Sequence, residues 1–590
     1  MCGIYGIVNF NSETTNQVDS LKLMMAESAY RGPDSQEFKV FNHVSFGFNR
    51  LSIIDVDKRS NQPFEIKDFG LSIVFNGEIY NYLEIKEDLI QLGYTFQTTS
   101  DTEVLLTAYY HYKEKAFNLF NGMWAIAIYD AKNNSVTLCR DRLGIKPLFY
   151  MMQGNAFFFT SEMKSLLVVK ENKEKNEAML NDYLVFGTNT STSGETFVNG
   201  IFEFAAGTFA TVSQNGLEQE VYYTPPSAFV EPEVNEVASD ILKTFRSAIK
   251  LRMRADVPIA LMLSGGLDSS AIAHVIDEMV ENKEIEVQYI HAFTLNFEGF
   301  EKNEWEIVQE NAKHLKHIVC HPIHIDIASF KKEIPNLIAK FDLPVLSVSH
   351  LLHCYALEEI KKQGFTVVLN GQGPDEVYGG YFPKDLGSLL MDTFQSSIAK
   401  GFREMKLTKN NWKQGYFLQF KSAVYSFIKY KLPRVYSSII NYIVAGKFQF
   451  WGNKRVSKNV GYNSYFDFIS KQQVFDTKFN CILQYEDMAS MLNSIEMRSP
   501  FLDYRLVNLG LSLPSQYKLR DGYSKWILRK AFSEILPLHI CWASWKYGYA
   551  VPKKLLLEDL INNPNDTEAG WNNAWRKYNL GVWLAARGIR

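Results

Sequence analysis

PIALMLSGGLDSSAIAHVI, residues 258–276, is the stretch on which the fold turns. A short apolar run gives way to a serine and two glycines, after which Ala271, Ile272, Val275 and Ile276 recur at helical spacing. The order is strand, glycine loop, helix. Gly265 and Gly266 permit close backbone approach, and Ser264, Ser269 and Ser270 add hydroxyl donors, so a phosphate group can sit at the start of the helix. The loop is not the GxxxxGK[ST] type. IHAFTL (290–295) and TVVLN (366–370) are further short apolar runs with helix-patterned sequence between them. That alternation predicts parallel strands joined by crossover helices, with ligands beyond the carboxyl ends of the strands. The third run leads into NGQGPDEVYGGY (370–381), where Asp375 and Glu376 can face the first loop.

Upstream the pattern changes. LSIVF (71–75), AIAIYD (125–130) and AFFFTSE (156–162) read as strands, and YLEIKEDLIQLG (82–93) as a helix with a glycine stop. YYTPPSAFVEPEV (222–234) reads as a linker. A chain of 590 residues exceeds what one core sustains, and the expected division is 1–210, a linker over 211–235, and 236–590. Sixty-two basic against sixty-five acidic residues leave a charge of -3, which disfavours nucleic acid as a partner. No apolar run reaches the length of a membrane span, and MCGIYGIV lacks the basic start of a signal peptide. Six dispersed cysteines then fit reduced thiols in the cytoplasm. His314, His317, His321 and His324 fall on a helix end and an alternating strand, which sends side chains to opposite faces, so sheet packing is favoured over zinc. Residues 412–451, crowded with aromatics, are read as buried helical packing rather than a membrane contact.

Cys2 stands apart from the other cysteines. If Met1 is trimmed, the free α-amine of Cys2 can take the proton of its own thiol, so that one residue carries nucleophile and base. MCGIYG, YRGPD (30–34), RLSIID (50–55), NGEIYN (76–81), SDTE (100–103), GMWAIAIYD (122–130) and RDRLGIKPLFY (140–150) follow in one order. Together they resemble the glutaminase domain of class II glutamine amidotransferases. The resemblance implies an α+β sandwich of the N-terminal-nucleophile type, with Cys2 attacking the glutamine side-chain amide and Asn76 and Gly77 donating to the oxyanion. Arg50, Leu51, Ser52, Ile53, Ile54, Glu78 and Asp101 would bind glutamine, Arg50 at its α-carboxylate and the two acids at its α-ammonium group.

SGGLDSS (264–270) looks like the pyrophosphate loop of enzymes that cleave ATP to AMP and pyrophosphate. SIEMRSPFLDYRLV (494–507), SKWILRKAF (524–532) and KYGYAVP (546–552) extend the likeness to asparagine synthetases over nearly the whole chain. The implied C-terminal domain is an α/β synthetase unit with a parallel sheet. By that resemblance Met262, Leu263, Ser264, Gly265, Gly266, Leu267, Asp268, Ser269, Ser270, Leu295, Asn370 and Gly371 would bind ATP. Asp268 and Asp375 would hold Mg²⁺ on the pyrophosphate oxygens, and Lys546 would stabilise the α-phosphate. The match frays at the acceptor site, where Gln372 replaces a common glutamate, Met488 replaces a common arginine, and LPVLSVSHLLHCYA (343–356) is loose.

The expected activity is glutamine-dependent amidation of a carboxylate through an acyl-adenylate, aspartate to asparagine first, in a soluble homodimer. A sheltered path for ammonia between the domains is implied. The alternatives are another carboxylate, such as a uronic acid of a surface polysaccharide or a natural-product precursor, a stand-alone glutaminase, and a degenerate glutamine- or nucleotide-binding regulator.

Overall fold

In a computed structural model the structure describes every residue except 1, 11–16, 188, 190, 192, 227, 302, 383, 414, 433–461, 477, 545–550, 562–566 and 590. Its first half holds two six-stranded antiparallel sheets. One has the order β10-β8-β9-β1-β3-β2, built from β1 (Gly3–Val8), β2 (Ser35–Phe41), β3 (Val44–Arg50), β8 (Phe149–Gln153), β9 (Ala156–Thr160) and β10 (Ile201–Glu203). The other runs β12-β11-β7-β6-β5-β4, from β4 (Phe64–Ile66), β5 (Leu71–Ile79), β6 (Gly122–Asp130), β7 (Ser135–Arg140), β11 (Thr208–Ser213) and β12 (Gly216–Val221).

The inner faces meet in a core containing Ile4, Val8, Phe46 and Phe48 from the first sheet and Val74, Ala125, Ala127 and Leu138 from the second. Helices cover the outer faces, among them α1 (Asp101–Tyr112). Strands β1, β3 and β5 are therefore buried on both sides and read as nearly continuous apolar runs. The second sheet continues past residue 210 to Val221, and the described residues between it and the helix that begins at Val234 carry neither helix nor strand.

The second half is an α/β unit around a parallel sheet of β13 (Ile259–Met262), β14 (Ile290–Asn296), β15 (Ile318–His324), β16 (Val367–Leu369) and β17 (Glu496–Arg498). Its order is β15-β14-β13-β16-β17. The chain builds outward from β13 to β15, then returns to the other side of β13 for β16. That reversal makes a crevice beyond the ends of β13 and β16, where the Ser264–Ser270 loop and the Asn370–Asp375 turn lie. The helix foreseen after the first loop is α2 (Leu267–Glu281), buried along Ala271, Ile272, Val275 and Ile276. In β15, His321 pairs with His291 of β14 at 2.8 Å.

Three helices, α3 (Leu386–Ser396), α4 (Ile398–Trp412) and α5 (Tyr416–Lys431), form an outer layer, and α6 (Lys478–Met491) runs between the two halves. The expectation of buried packing fails for α5: Phe417 is 81% exposed and Phe420 64%. Its inward side carries Gln419 and Ser426 instead, because α3 and α5 approach nearly backbone to backbone at Gly387, where a Cβ would come within 2.1 Å of the Ser422 carbonyl. Residues 433–450 of the same expectation, and Trp451, lie outside the described residues.

Candidate active sites

The sheet register places the first site. Gly3 lies opposite Asn49 in the β1–β3 pairing, which sets Cys2 beside Arg50 at the end of β3. From the facing sheet, the Oδ1 of Asn76 accepts a hydrogen bond from the Cys2 backbone N–H at 2.9 Å. The Nδ2 of Asn76 is buried and has no hydrogen-bond partner among the described residues. A buried donor left unpaired in this way costs stability. Gly77 follows at φ 152°, and a Cβ there would sit 2.0 Å from the Met123 carbonyl, so no other residue fits. The Cys2 thiol donates to the Leu51 carbonyl at 3.7 Å. Burial pushes the thiol pKa up, against the pull of the positive chain terminus, that hydrogen bond and Arg50.

These groups border a pocket lined by Cys2, Arg50, Leu51, Ile53, Ile54, Gly77, Glu78 and Asp101, with Ser60, Gln62, Ser100 and Thr102 among the other walls. Ser52, between Leu51 and Ile53, is not part of this lining, and its backbone N–H donates to the Asp34 carboxylate at 2.7 Å. Arg50 is fixed by carbonyl oxygens of Asp55 and Asp57. Asp101 accepts from the Ile79 N–H at 2.9 Å, yet burial raises its pKa to about 6. Burial, then Glu496 and Asp101, push Glu78 well above the carboxylate range. Two further residues of this region were not foreseen, because they come from β17 of the other half: Glu496, and Arg498, whose guanidinium lies 3.7 Å from Glu78.

The second site lies across the domain boundary. Ser264 and Ser269 lock the loop, with Oγ atoms 2.8 Å apart and the Ser264 N–H donating to the Ser269 Oγ at 3.0 Å. Gly266 caps α2. Gly371 packs on the first turn, where a Cβ would stand 3.0 Å from the Ser269 nitrogen. Leu263 is tied into the sheet by Phe293 and Thr294. Asp268 and Asp375 converge on Lys525, whose Nζ donates to Asp268 Oδ2 at 2.6 Å and also contacts Asp375. Burial pulls the Lys525 pKa down, but the two carboxylates outweigh it and the net direction is up.

Lys525 was missed. It lies 150 residues beyond Asp375, in a left-handed backbone conformation at φ 52° just after the hairpin at Tyr523–Ser524; the word SKWILRKAF contains it, but nothing in that word points to the two carboxylates it meets. Gly380 makes room for it: a Cβ there would meet Asp375 Oδ1 at 1.9 Å and Lys525 Cε at 2.1 Å. Lys546 lies outside the described residues.

Between the sites runs a buried polar seam. Arg31 donates to Glu162 and to Asp487 of α6, each at 2.8 Å, and through Nε to the Cys2 carbonyl at 3.1 Å. The neighbouring Glu486 faces the other site, accepting from Asn370 Nδ2 at 2.7 Å and bonding the Gln372 side chain. Burial raises its pKa to about 8, with those hydrogen bonds opposing. Met488 is buried on the same helix.

Comparison with known proteins follows these two sites. Residues 1–223 match the family model of a glutamine amidotransferase domain, and residues 240–570 that of asparagine synthase. The chain is 31% identical over 584 residues to asparagine synthetase [glutamine-hydrolyzing] 1 of Bacillus subtilis, an alignment covering 95% of this chain and 89% of that protein. Asparagine synthetase [glutamine-hydrolyzing] 3 of the same species is 29% identical over 561 residues, covering 91% and 85%. Amidase chry2 of Gibberella zeae is 26% identical over 615 residues, covering 94% and 89%.

Proposed function

Because this chain belongs to the glutamine-hydrolysing asparagine synthetase family, we propose that it moves glutamine nitrogen onto an adenylated carboxylate, with aspartate as the leading acceptor and AMP, pyrophosphate and glutamate as by-products. The observation that carries the glutaminase half is the orphaned Nδ2 of Asn76 beside Cys2. Cys2, freed of Met1, attacks the glutamine amide. The Asn76 amide and the Gly77 N–H hold the oxyanion, and ammonia leaves as a thioester forms. Arg50 takes the substrate α-carboxylate, while Glu78 and Asp101 take its α-ammonium group. Both acids are held protonation-prone by burial, and an arriving ammonium cation favours their charged forms.

In the second half, the loop at 264–270 receives the ATP phosphates. Met262, Leu263 and Leu295 flank the base and sugar, and Asn370 and Gly371 close the edge. The donor set suits Mg²⁺: Asp268 and Asp375 already converge on one cation, and Asp268 Oδ1 has no hydrogen-bond partner among the described residues. Mg²⁺ there would neutralise pyrophosphate as it leaves. Lys525 supplies a fixed positive charge at the same place, and Lys546 is the second lysine we assign to the α-phosphate. Free ammonia is mostly protonated at neutral pH and reacts only unprotonated. The buried seam along Arg31, Asp487 and Glu486 is the sheltered route we assign to it. Glu486 bonds the Gln372 side chain, which cannot manage a proton itself; with its pKa raised to about 8, the ionised fraction of Glu486 is the acceptor we assign to the proton that the incoming nitrogen sheds, so this step gains as pH rises toward 8.

A second reading replaces aspartate with another carboxylate, such as a uronic acid or a natural-product precursor. Gln372 and Met488 favour it, as does the match to proteins named amidases. Pyrophosphate release with ATP and glutamine, measured against aspartate and a panel of sugar acids, separates the two. No response to aspartate removes the first reading, and ADP as nucleotide product removes both.

A further inference from the structure

The outer helix α5 is amphipathic the wrong way round for a surface helix of a water-soluble domain. Phe417, Phe420, Val424 and Phe427 recur at the helical i, i+3, i+7, i+10 spacing and are 81%, 64%, 40% and 41% exposed. The opposite side buries Gln419 and Ser426 against α3 and α4. On adjoining α4, Ile398 is 69% exposed and Phe402 63%. Isolated exposed apolar residues are ordinary, but an apolar stripe along a whole helix marks a contact surface.

Charge decides what the surface contacts. From Met405 to Phe466 the sequence contains no Asp or Glu. Lys400, Lys406, Lys409, Lys413, Lys421 and Lys431 are exposed around the stripe. The acids that approach α4 do not offset them, since Glu404 is turned inward onto the Asp521 and Gly522 N–H groups and Asp521 pairs with Arg403. A second copy of this face would bring lysine against lysine with no acid to match. Aromatic and aliphatic side chains ringed by lysines, on a helix lying flat against the protein, suit the interface of an anionic bilayer, where rings enter the headgroup region and each lysine gains from the negative surface potential.

We propose that α4 and α5 form a docking face by which the protein binds anionic lipid surfaces peripherally. The face adjoins the nucleotide site: Trp412 at the end of α4 donates to the Gly522 carbonyl at 3.0 Å, three residues before Lys525. Binding there holds the acceptor end of the enzyme near the membrane, without any span; among the described residues no helix is long and apolar enough to cross one.

Co-sedimentation of the full-length protein with vesicles tests this, using phosphatidylcholine alone and phosphatidylcholine mixed with phosphatidylglycerol. The protein is expected to pellet with the mixed vesicles, less so at high salt, and to stay in solution with phosphatidylcholine alone. Phe417→Asp with Phe420→Asp should abolish pelleting, and Lys409→Gln with Lys421→Gln should weaken it roughly tenfold or more. Glutaminase activity and melting temperature should be unchanged in both double variants, which separates a docking defect from misfolding. Absence of binding to either vesicle overturns the proposal, as does binding that ignores the four substitutions. Sedimentation-velocity analysis closes the remaining route: a dimer that the Phe417→Asp, Phe420→Asp pair dissociates would assign the face to a second copy and overturn the lipid assignment.

Discussion

Asn76→Ala is the substitution whose effect follows most directly from the geometry. The side chain does two things at once: Oδ1 fixes the Cys2 nitrogen at 2.9 Å, and Nδ2 is buried with no hydrogen-bond partner among the described residues. Losing one donor to a developing oxyanion costs roughly 100- to 1000-fold in rate, or about 2.7–4 kcal/mol of barrier. Loss of Oδ1 takes this partner from the Cys2 nitrogen, which is the free α-amine once Met1 is removed, and lowers stability by about 1–3 kcal/mol without touching the second half of the protein.

The assay measures glutamate release with glutamine, and pyrophosphate release with either glutamine or ammonium salt as nitrogen source. Glutamine-supported kcat should fall by roughly two to three orders of magnitude, with a much smaller change in KM because the donor acts on the transition state. Ammonium-supported pyrophosphate release should keep its rate. If Asn76→Ala retained glutaminase activity within about tenfold of the parent, the unpaired amide would have no part in the oxyanion site.

Lys525→Met should remove ATP-dependent pyrophosphate release while glutaminase activity persists; loss of both would mean the lysine holds the fold rather than the nucleotide. Gly380→Ala forces a methyl group into the space of Asp375 and Lys525, so it should impair the same half-reaction, read as a raised KM for ATP with an unchanged glutaminase rate. The pH dependence of glutamine binding follows from Asp101. With a pKa near about 6 it is charged above that value and neutral below it, so KM for glutamine should rise as pH falls through 6, and Asp101→Asn should flatten that limb. Arg31→Met takes the guanidinium from two buried carboxylates and leaves Glu162 with Lys164 and Asp487 with Lys146; losing one member of such a buried network should cost up to about 3–5 kcal/mol, to be seen as a lowered melting temperature.

The parts of this molecule that the sequence announces are those built from contiguous residues. PIALML, the glycine loop and the helix after it are one local unit, and so are NGEIYN and its neighbours in β5, where backbone geometry demands glycine at 77. What escaped was assembled at long range. The words SIEMRSPFLDYRLV and SKWILRKAF carry Glu496, Arg498 and Lys525, but their roles depend on partners far away in the chain: β17 pairs with β16 more than a hundred residues earlier, and Lys525 meets Asp268 and Asp375, neither of which those words name. Glu486 is hidden for the same reason, since α6 comes from beyond the outer helices. The reading of α5 failed differently. Aromatic density suggests burial, but a helix that meets its neighbour through glycine and serine needs small groups inside, and the rings are left outside.

Cys2→Ala examined with both nitrogen sources is the most direct measurement of all. Pyrophosphate release should vanish with glutamine and continue with ammonium, in a protein whose mass shows residue 2 at the amino terminus. Undiminished turnover with glutamine, or a chain that retains Met1 and is fully active, would contradict the two-site account.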